Sequence, residues 1–237
     1  MTLSTCAQSQ LPATRGWAYG LTFVVLRAVF DGYFRTSVSG RAHLPKEGRP
    51  AILVANHTSA LDVFLVGHAL ARPGFFLAKA EATRVPVAGW WLRSLGAIPT
   101  ARDSRDTPAL RATLAALRAG GLVGLAPEGT RSRDGRLGRY DPGFAWLAAK
   151  TEAAVVPCAI HGAQRLMPKG ARLPRRGPLW VRFGAPLAVT EAGGRPSRQA
   201  LQAVADEVRA RTLALLAELA AESGLPEPAL AGEDGSA

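Results

Sequence analysis

His57 and Asp62 are two side chains whose types and spacing could do chemistry together. A histidine changes charge close to neutral pH, so it can take a proton from a hydroxyl. A carboxylate bonded to the second ring nitrogen fixes the tautomer and stabilises the imidazolium that forms. On one continuous helix, five steps of ~100° would put the two side chains ~140° apart. They can meet if His57 lies in a turn and Asp62 in the first helical turn. A second reading needs no catalysis. Ser59-x-x-Asp62 ahead of an apolar run is a capping-box-like pattern, with Asp in place of the usual Glu or Gln.

The flanking runs set the position of the pair. Ala51-Ile52-Leu53-Val54-Ala55 has strand length and composition, and Val63-Phe64-Leu65-Val66 reads as the start of a helix. The pair therefore sits at a strand-to-helix junction, where α/β proteins place their sites. Two other loops follow strand candidates. Leu95-Gly96-Ala97-Ile98-Pro99 leads into Thr100-Ala101-Arg102, and Leu122-Val123-Gly124-Leu125-Ala126 runs into Pro127-Glu128-Gly129-Thr130-Arg131-Ser132. In a parallel sheet all three loops share one edge. Arg102 and Arg131 carry forked donors that suit a phosphate monoester. Gly129 allows close backbone approach to a ligand. A lone arginine is more often a solvated surface residue; the grouping is what argues for an anion.

The chain has 237 residues, which suits one α/β domain or a domain with a small appendage. Hydrophobic residues make up 48%, enough for a large core, which argues against general disorder. A formal charge of +11 favours phosphates, anionic lipid or nucleic acid as partners. Zinc-finger spacing, an aromatic RNA-binding signature and a P-loop do not occur, so no nucleic-acid partner is expected. Cys6 and Cys158 form neither a disulfide framework nor a metal-ligand spacing, and a reducing compartment fits. No stretch reaches the ~20 apolar residues of a spanning helix. Trp17, Tyr19, Leu21, Phe23, Val24 and Phe30, flanked by Arg15, Arg27 and Arg35, make residues 16–36 an interfacial helix. The alternative is a core helix packed on the domain.

Further elements follow in order. Phe75 to Ala78 is a strand, and residues 86–94 form a short helix with Pro86 at its start. Trp90 and Trp91 are core or an apolar binding wall, core by default. Asp106-Thr107-Pro108 opens a helix with Leu110, Leu114 and Leu117 at helical spacing. Residues 142–150 are a helix. Residues 155–160 are a strand, and Pro157 there suggests a strand end, an edge or a bulge. Residues 179–184 are a strand and 196–222 a long amphipathic helix. Strands alternating with helices predict an α/β fold: a single domain with a mostly parallel central sheet flanked by helices, plus an N-terminal membrane-associating helix. Residues 1–40 hold a polar segment and the interfacial helix, 41–223 the α/β domain, and 224–237 a flexible tail.

Four blocks together resemble the signature of the glycerolipid acyltransferases. Asn56-His57-Thr58-Ser59-Ala60-Leu61-Asp62 is similar to the first, a histidine and an aspartate with four residues between them. Gly96-Ala97-Ile98-Pro99-Thr100-Ala101-Arg102 is similar to the second, Pro127-Glu128-Gly129-Thr130-Arg131-Ser132 to the third, and Val156-Pro157-Cys158-Ala159-Ile160 to the fourth. They occur in family order. The third block departs from the family at Ala126, where an aromatic residue is usual, and Asp141-Pro142 precedes Gly143 where a lysine or arginine is frequent.

The resemblance implies acyl transfer without a covalent enzyme intermediate, and without metal or cofactor. His57, held by Asp62, would deprotonate a lysolipid hydroxyl. The oxygen would attack an acyl thioester of acyl-CoA or acyl carrier protein. Arg102 and Arg131 would hold the acceptor's phosphate, Glu128 its glycerol part, with Gly129 and Thr130 in the same binding loop. Backbone N–H groups after Ser59 are candidates for the oxyanion. The activity implied is 1-acylglycerol-3-phosphate acylation. It places the chain at the cytoplasmic face of the plasma membrane, peripheral or monotopic, seated on an anionic surface by residues 16–36 and 165–182. Two rivals remain: the same chemistry on a lyso-ornithine lipid, glycolipid or other lysophospholipid, and a non-enzymatic basic protein binding membrane or nucleic acid. A serine hydrolase lacks its Gly-x-Ser-x-Gly elbow here.

Overall fold

Residues 17–70, 72–101, 107–132, 134–189 and 196–226 are described by the structure, a computed structural model. The expectations for Arg102, for the Asp106 cap, for residues 1–14 and for most of the C-terminal tail lie outside the described residues.

The described residues form one seven-stranded sheet. Its strands are β1 (Thr36–Ser39), β2 (Ala51–Ala55), β3 (Phe75–Lys79), β4 (Ala97–Thr100), β5 (Leu122–Leu125), β6 (Ala154–His161) and β7 (Leu179–Phe183). They lie in the order β1-β7-β6-β2-β5-β3-β4. Strands β2 to β6 are mutually parallel. β7 runs antiparallel to β6, and β1 parallel to β7. The C-terminal ends of β2, β4, β5 and β6 therefore meet at one edge, as expected for an α/β fold.

Helices cover both faces, and the apolar run of β2 shows why. All five of its residues are buried, which is the pattern of a parallel strand packed on both sides. Ala51, Leu53 and Ala55 face a layer with Phe30, Phe34 and Leu65. Ile52 and Val54 face the other, with Leu117, Phe144 and Val208. The first layer holds α1 (Trp17–Arg27), its π-helical continuation Ala28–Tyr33, and α2 (Asp62–Ala69). α3 (Ala80–Arg84) and α4 (Pro86–Ser94) follow β3, the second opened by Pro86 at its first turn. The second layer holds α5 (Thr107–Arg118), α6 (Gly143–Thr151) and α8 (Arg198–Ser223); the single turn α7 (Ala163–Leu166) follows β6. α8 starts at Ser197, whose hydroxyl accepts the Ala200 N–H at 3.1 Å, and ends at Gly224.

Three expectations change. The N-terminal helix predicted to residue 36 stops at Tyr33, and Thr36–Ser39 joins the sheet beside β7. The Thr36 hydroxyl donates to the Phe30 carbonyl at 2.8 Å and closes the helix end. Pro157 lies in an interior strand, not at an edge. Its missing N–H falls where the ladder to β7 stops at Cys158 and Phe183, and its carbonyl accepts Gly184 N–H at 2.8 Å. Neither tryptophan of α4 is fully buried. Trp90 is exposed and its ring lies 6.0 Å from that of Trp17. Trp91 stacks on Phe64 and donates its indole N–H to Thr22 at 2.8 Å. α4 packs on the flank of α1 rather than under the sheet, so its indoles stay partly open.

Candidate active site

Residues 56–61 are non-helical, and α2 begins at Asp62. The turn folds the His57 ring back onto the helix start. His57 Nδ1 lies 2.9 Å from Asp62 Oδ2. A carboxylate can only accept, so Nδ1 carries the proton and Nε2 is left as the base. The same oxygen accepts the backbone N–H of Thr58 at 2.7 Å and of Ser59 at 2.8 Å. The Ser59 contact is the backward arm of a capping box. The capping and catalytic readings thus use one oxygen of one carboxylate. Asp62 is buried, and its side chain is only 4% exposed against 24% for His57.

Neighbouring side chains brace this turn. Asn56 bridges β2 to β6, donating to Ile160 O at 3.0 Å and accepting from Ile160 N–H at 2.8 Å. The Ser59 hydroxyl accepts Leu61 N–H and donates to Met167 O at 2.8 Å. The N–H groups of Thr58, Ser59, Leu61 and Asp62 are all taken within the turn. Of the oxyanion candidates after Ser59, the Leu61 and Asp62 N–H groups are therefore already engaged within the turn.

Glu128 joins the loop after β5 to this junction. Its Oε1 accepts His57 N–H at 2.9 Å and its Oε2 accepts Gly138 N–H at 3.0 Å. Ser132 N–H returns to His57 O at 2.8 Å. Burial pushes the Glu128 carboxyl above the usual range, against the pull of the Gly138 and His57 N–H groups. Gly129 has a φ of 70°, a left-handed conformation that glycine adopts without strain.

A cavity of about 1170 Å³ opens beside the dyad. That is somewhat above the usual ~300–1,000 Å³ of small-molecule sites. His57, Asp62, Gly129, Thr130 and Arg131 line one part of it, whereas Glu128 does not. The walls away from the dyad are apolar: Tyr19, Phe23 and Leu26 of α1, Phe64 of α2, Phe75 of β3 and Trp146 of α6. Two cations that sequence reasoning missed, Lys79 and Lys169, also line it. Lys79 is the last residue of β3, and Lys169 lies in the loop after α7. Lys169 hid within a basic stretch that reads as membrane-facing. No cluster of three or more metal-ligating side chains occurs among the described residues.

The site is thus a His57–Asp62 pair, its carboxylate buried, at the C-terminal edge of a mostly parallel sheet and beside a largely apolar cavity. Comparison with known proteins gives the family. The Acyltransferase family model matches residues 35–161, and this chain belongs to that family. A chloroplastic 1-acyl-sn-glycerol-3-phosphate acyltransferase of Arabidopsis thaliana is 36% identical over 141 residues, covering 59% of this chain and 39% of that protein. A lyso-ornithine lipid O-acyltransferase of Pseudomonas aeruginosa is 37% identical over 128 residues, 54% of this chain and 47% of that one. The crystal structure of the 1-acyl-sn-glycerophosphate acyltransferase PlsC from Thermotoga maritima matches with a TM-score of 0.68 at 30% identity, over 81% of this chain and 76% of that one. The matched segment spans about 39% of the length of the Arabidopsis relative and 41% of a Brassica napus one.

Proposed function

We propose that this chain moves a fatty acyl group from an acyl thioester to the free hydroxyl of 1-acylglycerol-3-phosphate, giving phosphatidic acid. The observation that carries the reading is the His57–Asp62 dyad opening into an apolar cavity that Arg131 also lines. Nε2 of His57 takes the hydroxyl proton. The oxygen attacks the thioester carbonyl, and a tetrahedral intermediate forms. The C–S bond then breaks, and the imidazolium returns the proton to the leaving thiolate. The acyl chain lies along the walls of α1, α2 and β3, where each buried methylene contributes about 0.8 kcal/mol. Arg131 grips the acceptor phosphate, with Arg102 as its partner from the second block and Lys169 as a third cation. The donor is acyl-CoA or acyl carrier protein. In an acyl-transfer assay in detergent, Arg131→Ala is expected to raise the KM for lysophosphatidate about 10- to 100-fold with kcat little changed. An unchanged KM would remove Arg131 from the acceptor site.

Glu128 has both oxygens on backbone N–H groups and stands outside the cavity, which supports a positioning role in place of glycerol binding. Glu128→Ala is then expected to cost about a hundredfold in kcat, with the acceptor KM held. A rise in KM at constant kcat would restore the glycerol contact.

The membrane reading rests on α1. Tyr19, Thr22, Phe23 and Leu26 face the cavity at helical spacing. Trp17, Leu21, Val24 and Val25 are exposed on the other side. Val87 and Trp90 of α4 extend that apolar patch. No helix among the described residues is long and apolar enough to cross a membrane. An apolar outer face of this kind suits seating in the headgroup layer, at the cytoplasmic face of the plasma membrane. A second acceptor is favoured by the Pseudomonas relative: a lyso-ornithine lipid. It lacks a phosphate, so faster turnover on it than on lysophosphatidate would decide for it.

A further inference from the structure

Two arginines outside the catalytic cavity share a smaller cleft. Tyr33, Arg35, Arg176, Gly177 and Pro178 line an open cleft of about 280 Å³. Arg35 immediately precedes β1, and Arg176 lies just ahead of β7. These two strands are parallel, with Thr36 opposite Leu179, so their entry segments lie side by side. Because β7 is antiparallel to β6, both strands start at the edge where β2 to β6 end. The cleft therefore opens on the catalytic edge of the sheet.

Both arginines are exposed, and specific contacts shape the walls that present them. The Tyr33 hydroxyl donates to Pro174 O at 3.3 Å and ties one wall to the other. A Cβ on Gly177 would come within 2.6 Å of Leu166 Cδ2, so glycine lets the loop press against α7 and carry Arg176 in. Arg35 has a φ of 53°. Such left-handed backbone is strained for a side chain of this size and persists only where the surroundings hold it. Neither guanidinium has an ion-pair partner among the described residues. Tyr33, 43% exposed, gives the cleft an open aromatic wall.

We propose that this cleft binds the phosphate of a membrane phospholipid headgroup, separately from the acceptor in the catalytic cavity. Two forked guanidinium groups match a phosphate, and the Tyr33 ring offers the apolar contact that a lipid can use and a free anion cannot. The loop that supplies Arg176 begins at Met167, which takes the Ser59 hydroxyl, and carries Lys169 at the catalytic cavity. A seated headgroup fixes that loop at both ends.

The test uses the full chain, with Arg35→Gln and Arg176→Gln together. The control is Arg118→Gln with Arg198→Gln, which removes the same charge at exposed sites elsewhere. Sedimentation with phosphatidylcholine vesicles, with and without phosphatidylglycerol, reads the binding. Partition onto the anionic vesicles is expected to fall about tenfold in the cleft variant and less than twofold in the control. Equal losses in both would overturn the site and leave only net charge. Turnover on acceptor in detergent and the KM for acyl-CoA are expected to match the parent, so the acyl-transfer reading is judged separately. A raised KM for acyl-CoA would assign the cleft to the donor's phosphates instead. Inorganic phosphate that raises the parent's melting temperature but not the variant's, with vesicle binding equal in the two, would make it a free-anion site. If the glutamine pair does not fold, lysine at both positions keeps the charge and removes the fork. A loss of about threefold is then expected, and parent-like binding would overturn forked recognition.

Discussion

His57→Ala is expected to lower kcat for acyl transfer by about a thousandfold or more, with the fold intact. The ring is partly exposed and makes one side-chain bond, to Asp62. The backbone ties of residue 57, from its N–H to Glu128 and from Ser132 N–H to its carbonyl, do not depend on the ring. Truncation therefore removes the base and spares the junction. Acyl transfer to lysophosphatidate in detergent, beside a thermal melt, reads both halves. A mutant that melts like the parent and keeps more than a tenth of its turnover would take His57 out of the proton transfer.

Asp62→Asn is expected to reduce kcat about ten-thousandfold, and here stability falls too. One oxygen of Asp62 accepts three donors: the His57 ring and the N–H groups of Thr58 and Ser59. An amide keeps the shape but loses the charge that strengthens all three bonds. If its NH₂ turns toward the ring, it selects the tautomer with Nε2 protonated, which cannot accept the hydroxyl proton. Bonds to a charged acceptor contribute about 1.5–3 kcal/mol each, so a fall of several degrees in Tm accompanies the kinetic loss. The variant distinguishes the two uses of the carboxylate. A lowered Tm with turnover retained would leave Asp62 as a cap alone.

Much of this site was legible in the sequence because it depends on short range. The five-residue gap between His57 and Asp62 works only across a strand-to-helix turn, and the buried run ahead of it announces that turn. The loop 127–132 follows its strand in the same way. Glu128 was harder. Its residue type and position gave no role of their own, the glycerol contact being implied by the family resemblance alone, and only the fold shows that both its oxygens hold main chain, one of them at Gly138. Thr36–Ser39 was missed because four small polar and β-branched residues carry little pattern until β7 pairs with them. Pro157 read as an edge signal because a single sequence does not reveal where a neighbouring strand ends.

By itself, the sequence determined most of the alternation of strands and helices and the meeting of His57 with Asp62 across the turn. Each follows from local periodicity and from turn chemistry within a few residues. The tertiary structure decided what lies opposite each element. It put β7 antiparallel to β6, which carries Arg35 and Arg176 to the catalytic edge. It set α1 with one apolar stripe on the cavity and the other outward. It also formed the cavity itself from residues between positions 19 and 169. Contacts between segments so far apart in the chain depend on packing against a common sheet, and no short window of residues encodes that.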